Sequence, residues 1–168
     1  MTLSKPQLTI KLEKWLKNYI KSNLSSKFEL LDLITPETTL SKINSDLIKN
    51  LANYSAWEFT PDLLAIVKEK SSHDIKLIMV SRYTSSVSLR DIGTAYTFAK
   101  LTKAPIYFII STKGVSNEVN ILLVDDDIRK RLLKVNQNVN VYIGTYNEDS
   151  DNIDEESWVS GEGFGTLD

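Results

Sequence analysis

The 168-residue chain carries 20 Lys and Arg against 22 Asp and Glu, one His and no Cys. Without cysteine there is no disulfide, no thiolate metal ligand and no Cys nucleophile, a composition that suits a reducing compartment. No stretch approaches 18 uncharged apolar residues, so no membrane-spanning helix is expected. The opening MTLSKPQLTIKLEKW lacks an uninterrupted apolar core and a small-residue cleavage site, so a secretory signal is not expected and a cytoplasmic location is.

The net charge of -2 conceals an asymmetry. Residues 147–168 hold eight acids and no base, which leaves residues 1–146 with a net charge of +6. The chain reads as a basic body, 1–146, followed by an acidic tail, 147–168. A basic body calls for an anionic partner such as nucleic acid. The tail acids Glu148, Asp149, Asp151, Asp154, Glu155 and Glu156 are interspersed with Trp158 and Phe164. Aromatics in an acidic segment fit a disordered tail that docks on a protein partner better than an inert one.

In chain order, Leu8, Leu12, Trp15, Leu16, Tyr19 and Ile20 recur at helical spacing, with Lys11, Lys14, Lys17 and Lys21 opposite or beside them. Here Trp15 and Tyr19 read as core rather than as base-stacking platforms. KFELLDLI is a strand ended by Thr35-Pro36, and KINSDLIKNLANY is a second helix. WEFTPDLLAIV, residues 57–67, reads as a strand entered through Pro61. A polar loop holding the solvated His73 leads into IKLIMVSRY, apolar enough for a strand buried on both faces. SLRDIGTAYTFAKLTK is a helix and PIYFIIS a buried strand, while VNILLV reads as a further strand. Asp125-Asp126-Asp127 then cap a helix over 125–137, and NVYIGTY is the final strand. The pattern predicts an α/β (α+β) domain, a mixed sheet flanked by helices.

The segment 57–111 runs strand with Pro61-Asp62, loop, strand ending Val80-Ser81-Arg82-Tyr83, Ser-rich loop, helix, strand. With the preceding helix it resembles the core of the PD-(D/E)XK, or restriction-endonuclease-like, nucleases over residues 7–111. The resemblance implies that Asp62 and an acid two residues before a Lys on the next strand would hold Mg²⁺, with a helical Glu, here Glu13, completing the set. Matched strand to strand, however, the acid position falls on Met79 and the Lys position on Ser81. A thioether and a hydroxyl supply neither a carboxylate nor a cation, so Glu13, Asp62, Met79 and Ser81 mark a vestigial site with no metal and no cofactor. A second register keeps activity: Asp74-Ile75-Lys76 is a literal D-x-K twelve residues after Asp62. Asp62, Asp74 and Lys76 would then form a Mg²⁺-dependent, structure-specific endonuclease site.

Arg82, Arg90, Lys100 and Lys103 gather at the strand end and following helix, the side from which this family meets DNA. In size and tail character the chain also resembles the small acidic-tailed accessory subunits of archaeal family-B replicative polymerase complexes, in which the tail limits strand displacement. The resulting expectation is a non-catalytic, nuclease-like accessory subunit of a DNA replication or repair assembly. It would bind DNA and a protein partner, a DNA polymerase among the candidates, with the acidic tail modulating DNA engagement.

Overall fold

Four buried side chains one turn apart, Leu8, Leu12, Leu16 and Ile20, fix the first helix against the domain. A computed structural model describes residues 2–165 and residue 167. Helix α1 spans Lys5–Asn23 and opens with a reciprocal cap, Ser4 and Gln7 each bonding the other's backbone N–H, with a proline in the first turn. Its lysines stand on the exposed side.

Strands β1 (Phe28–Ile34), β2 (Leu63–Glu69) and β3 (Ile75–Tyr83) form an antiparallel meander. Between β1 and β2 the expected helix over 42–54 is broken up. A 3-10 turn at Leu40–Lys42, the four-residue α2 (Asp46–Lys49) and a 3-10 turn at Tyr54–Ala56 take its place. Asn53, left-handed at φ 64, interrupts the helix, a conformation asparagine tolerates better than most residues. The strand expected over 57–67 begins only at Leu63. Residues 57–62 are an extended connection whose Trp57 and Phe59 are buried and whose carbonyls accept hydrogen bonds from Ser41 and Leu40.

Helix α3 (Leu89–Thr102) is capped by Ser88 with Asp91 and ends at Lys103, left-handed at φ 55. It carries the chain across to β4 (Ile106–Ser111), which lies parallel to β3. Helices α4 (Asn117–Leu123) and α5 (Asp126–Leu133) make the second crossover, to β6 (Val139–Asn147), parallel to β4. The short β5 (Lys134–Asn136) hairpins onto β6. The expected strand VNILLV is therefore helix α4. Two parallel neighbours need a long crossover between them. Ser116 caps this one by accepting from the Val119 N–H, and Val119 and Leu123, four residues apart, are buried.

Among the described residues nine strands form one mixed sheet in the order β1-β2-β3-β4-β6-β8-β9, with β5 and β7 also pairing β6. β7 is Asn152–Ile153, β8 Val159–Ser160 and β9 Gly163–Phe164. Both crossovers pack on one face of the sheet, where α3, α4 and α5 cover Leu64, Ile66, Met79, Tyr107, Ile109 and Val141. The other face carries Leu63, Ala65, Ile78, Val80, Phe108 and Ile110 and is covered by α1 and by Trp158. Both faces of the central strands are buried, which explains their continuous apolar runs. No helix among the described residues is long and apolar enough to cross a membrane.

The acidic segment is the largest departure from the sequence reading. It is ordered structure in the same sheet, and no structural boundary falls at residue 146, because β6 continues to Asn147. Trp158, expected in a disordered or partner-docked tail, is 2% exposed. Its ring lies over Gly144 on β6, where a Cβ would come within 2.7 Å of it, and within 5.8 Å of Trp15 and 5.6 Å of Phe108 between centroids. Four of the seven tail acids among the described residues have partners in the fold. Asp151 meets Lys11 at 2.9 Å, Glu148 accepts the Leu3 N–H at 3.2 Å, Asp154 accepts from the Asn147 amide, and Glu162 meets Lys134 at 2.9 Å. Asp149, Glu155 and Glu156 are exposed, and Phe164 is 51% exposed with the Arg129 guanidinium 5.1 Å from its ring centre. Thr166 and Asp168, the remainder of that assignment, lie outside the described residues.

Trp158→Ala is expected to lower stability by about 3–5 kcal/mol, measured by urea denaturation, because it empties a well-packed aromatic site. A dispensable tail would leave the midpoint unchanged.

Candidate functional site

The cross-strand register decides where the nuclease-like positions stand. Leu63 pairs with Val80, so Asp62 lies beside the carboxyl end of β3, and its N–H bonds the Val80 carbonyl at 3.0 Å. Asp74 precedes Ile75, which pairs with Lys68 at the other end of the hairpin. At about 3.4 Å per residue the two aspartates are roughly 20 Å apart. The alternative site of Asp62, Asp74 and Lys76 is thus split across the sheet, because the buried alternation of β3 holds it in a single register.

Asp62 is occupied in a different way. One carboxylate oxygen accepts the Arg82 N–H at 2.8 Å and the other forms an ion pair with the Arg82 guanidinium. Arg82 also donates through Nε to the Lys5 carbonyl at 2.9 Å, tying this corner to the first turn of α1. The Asp62 and Arg82 side chains are 32% and 20% exposed. A carboxylate that holds a guanidinium on one oxygen and a backbone N–H on the other is already satisfied, and a divalent ion would have to displace that cation.

Met79 is fully buried against the crossover helices, while the Ser81 hydroxyl is 2.6 Å from the Tyr107 hydroxyl. Tyr83 joins this cluster, and its phenol is pushed up to about 12, first by burial and then by the carboxylates of Asp91 and Asp62. The Tyr107 phenol is also raised, chiefly by burial. Burial disfavours the ionised form of both phenols. Glu13 is exposed on α1, eight residues and about 12 Å of helix beyond Lys5, away from Asp62. Within the described residues no group of three or more His, Cys, Asp or Glu is placed to hold a metal.

A concave feature of the surface lies elsewhere, on the α1 face beyond the helix. A cleft of about 1530 Å³ runs over Ile106 and Phe108 of β4 and Asn140 and Tyr142 of β6. Trp15 and Tyr19 of α1 form one wall, and Asp151, Ile153 and Trp158 of the C-terminal segment form the other. Six lysines line it, Lys11, Lys14, Lys27, Lys76, Lys100 and Lys103, against the acids Glu69, Asp151 and Glu155. Lys11 is paired with Asp151, and the other five are in no ion pair among the described residues. Asp151 has a carboxyl group held below its ordinary range, first by the Tyr146 hydroxyl at 2.5 Å and then by Lys11.

The four cations expected to meet DNA are therefore divided. Lys100 and Lys103 border the cleft, Arg82 is turned inward onto Asp62, and Arg90 is exposed in the first turn of α3, about 15 Å along the helix from Lys100. Sequence reasoning missed Lys11, Lys14, Lys27 and Lys76 as members of one surface, and it assigned Trp15 and Tyr19 to the core. Both rings do pack on Phe108, but both are only half-buried and line the cleft. The available signal was the lysine stripe at positions 11, 14, 17 and 21 beside that aromatic pair.

No protein-family model, curated protein or solved structure matches this chain.

Two outcomes are expected here. Arg82→Met should lower stability by about 1–2 kcal/mol, because it strips the Asp62 carboxylate of its charged donor, and the double variant with Asp62→Asn should be less than additive. The folded chain holds the Tyr83 proton more tightly than the unfolded chain, whose tyrosine titrates near 10.0. That contribution is complete below pH 10 and is lost as pH rises to about 12. Denaturation midpoints should accordingly decline across that interval, and less steeply in Tyr83→Phe.

Proposed function

We propose that this chain is a non-catalytic accessory subunit of a DNA replication or repair assembly, acting by binding DNA and a protein partner on a nuclease-like scaffold. The observation that carries the reading is the lysine-lined cleft, where cations on α1, β3 and the end of α3 converge on one concave surface. Lysines presented together, five of these six outside any ion pair among the described residues, are the means by which a protein binds phosphate backbone, through release of condensed counterions. The order of elements, helix, three-stranded meander, helix and parallel strand, supports the comparison with the PD-(D/E)XK core. The engagement of Asp62 by Arg82, with Asp74 at the far end of the hairpin, argues for binding rather than cleavage.

The acidic segment belongs to this reading as one wall of the cleft. Asp151 and Glu155 place negative charge where a phosphate backbone would otherwise lie, so the segment restrains DNA engagement from within the fold.

Purified protein with Mg²⁺ or Mn²⁺ is expected to leave linear, flapped and branched DNA intact, while binding DNA at low salt with an affinity that falls as salt rises. Cleavage that disappears in Asp62→Ala would overturn the non-catalytic assignment. Absence of binding at low salt would remove DNA as the partner.

A further inference from the structure

We infer that the cleft takes double-stranded DNA, held by its phosphates along the lysine-bearing rim with no base read. The inference rests on the DNA-binding reading above and specifies which form of DNA the site accepts.

The rings that line the cleft are spent on each other. Trp15 is stacked on Tyr19, with centroids 5.3 Å and planes 17° apart. The same ring lies 5.8 Å from Trp158 and, edge on, 5.1 Å from Phe108. Tyr19 meets Phe108 edge on at 5.7 Å, and Tyr142 packs on Phe108 at 5.8 Å. These rings form one aromatic cluster that joins α1 to the sheet and to the C-terminal segment. Sequence-tolerant affinity for single strands comes from bases stacked on aromatic faces. Rings committed to one another are a poor platform for an unpaired base.

What the rim offers instead is charge. Lys14, Lys27, Lys100 and Lys103 are exposed, Lys76 is half-buried, and none of the five is in an ion pair among the described residues. Cations set against a polyanion act through the counterions they release, about 0.9 per phosphate contact on a duplex and about 0.7 on a single strand. Over five contacts the difference is roughly one ion, worth about tenfold in affinity at about 0.1 M salt. The placement of the lysines favours the duplex too. Lys14 and Lys27 lie on either side of the last nine residues of α1, about 13 Å of helix, and Lys100 and Lys103 approach from the end of α3. A duplex already holds its phosphates in fixed positions, whereas a single strand must be ordered to reach cations so dispersed. Asp151 and Glu155, on the C-terminal wall, repel the backbone toward the lysine side.

The test is fluorescence anisotropy on the full chain, with a labelled mixed-sequence duplex and each of its separated strands at about 0.1 M salt. The expected result is about tenfold tighter binding of the duplex, with log K falling against log salt at a slope of about −4 to −5. Duplexes of different sequence should bind within about threefold of one another, since phosphate contacts carry no sequence information. Lys27→Glu with Lys100→Glu should weaken duplex binding at least about tenfold and reduce that slope by about two. Lys17→Glu with Lys21→Glu, exposed on α1 but outside the cleft, should change binding by less than about threefold. Equal loss in the two double variants overturns the inference, because net charge rather than the cleft would then account for binding. A strong preference among duplex sequences also overturns it. Single-strand affinity equal to that of the duplex, or above it, overturns the inference and leaves the DNA-binding reading intact, whereas failure to bind either form overturns both.

Discussion

A single helix is too narrow to cover this sheet, and much of the molecule follows from that mismatch. The five principal strands, spaced about 4.8 Å apart, span roughly 20 Å, whereas a helix with its side chains is about 10 Å across. On one face three helices and the irregular segment 40–59 close the gap. Both parallel crossovers fall on that same face, which leaves α1 alone to protect the other. The aromatic floor of β4 and β6 beyond α1 needs a second cover, and the C-terminal segment supplies it by laying Trp158 on Gly144 against Phe108 and Trp15. Gly144 is what permits so close an approach, since a side chain there would collide with the ring.

The same mismatch produces the cleft. α1 and the C-terminal segment do not meet along their whole length, and the strip of sheet left between them carries Asn140 and Tyr142 beside Ile106 and Phe108. Its walls differ in charge because of what they are made from: a lysine-rich helix on one side and an acidic strap on the other. The pair of Lys11 with Asp151 joins them at one point, reinforced by the Tyr146 hydroxyl on the same carboxylate. Acidic residues that look like a detached tail in one dimension thus become the boundary of a basic surface. This accounts for how a chain of slightly negative net charge presents a concentrated cationic groove.

The corner at the carboxyl end of β3 shows a different use of charge. Asp62 and Arg82 satisfy each other, and Arg82 reaches on to the backbone of α1. Ser81, Tyr83 and Tyr107 fill the neighbouring space with hydroxyls, and burial raises the two phenols. The corner acts as a fastening between the meander, the parallel strands and α1. Asp62, Met79 and Ser81, which suggested a vestigial metal site, are satisfied as packing and hydrogen bonding.

Much was legible in one dimension because it is local. The spacing of Leu8, Leu12, Leu16 and Ile20, the Ser4 and Ser88 caps, and the unbroken apolar runs of β3 and β4 specify their elements, since each depends on neighbours within a few residues. The register that keeps Asp62 away from Asp74 was also legible, because exposing Leu77 to Val80 would be costly. The identity of 119–124 was not. Five apolar residues around Asn120 suit either a strand or a short helix, and only the requirement for a crossover between β4 and β6 decides between them. Nor was the order of residues 147–164 legible, because seven acids signal solvation until a partner surface exists, and Gly144, Phe108 and Trp15 compose that surface only once the sheet is folded. The cleft is non-local in the same way. Its lysines come from α1, a β-hairpin and α3, separated by up to 92 positions between Lys11 and Lys103, and only the packing of those elements brings them to a common rim.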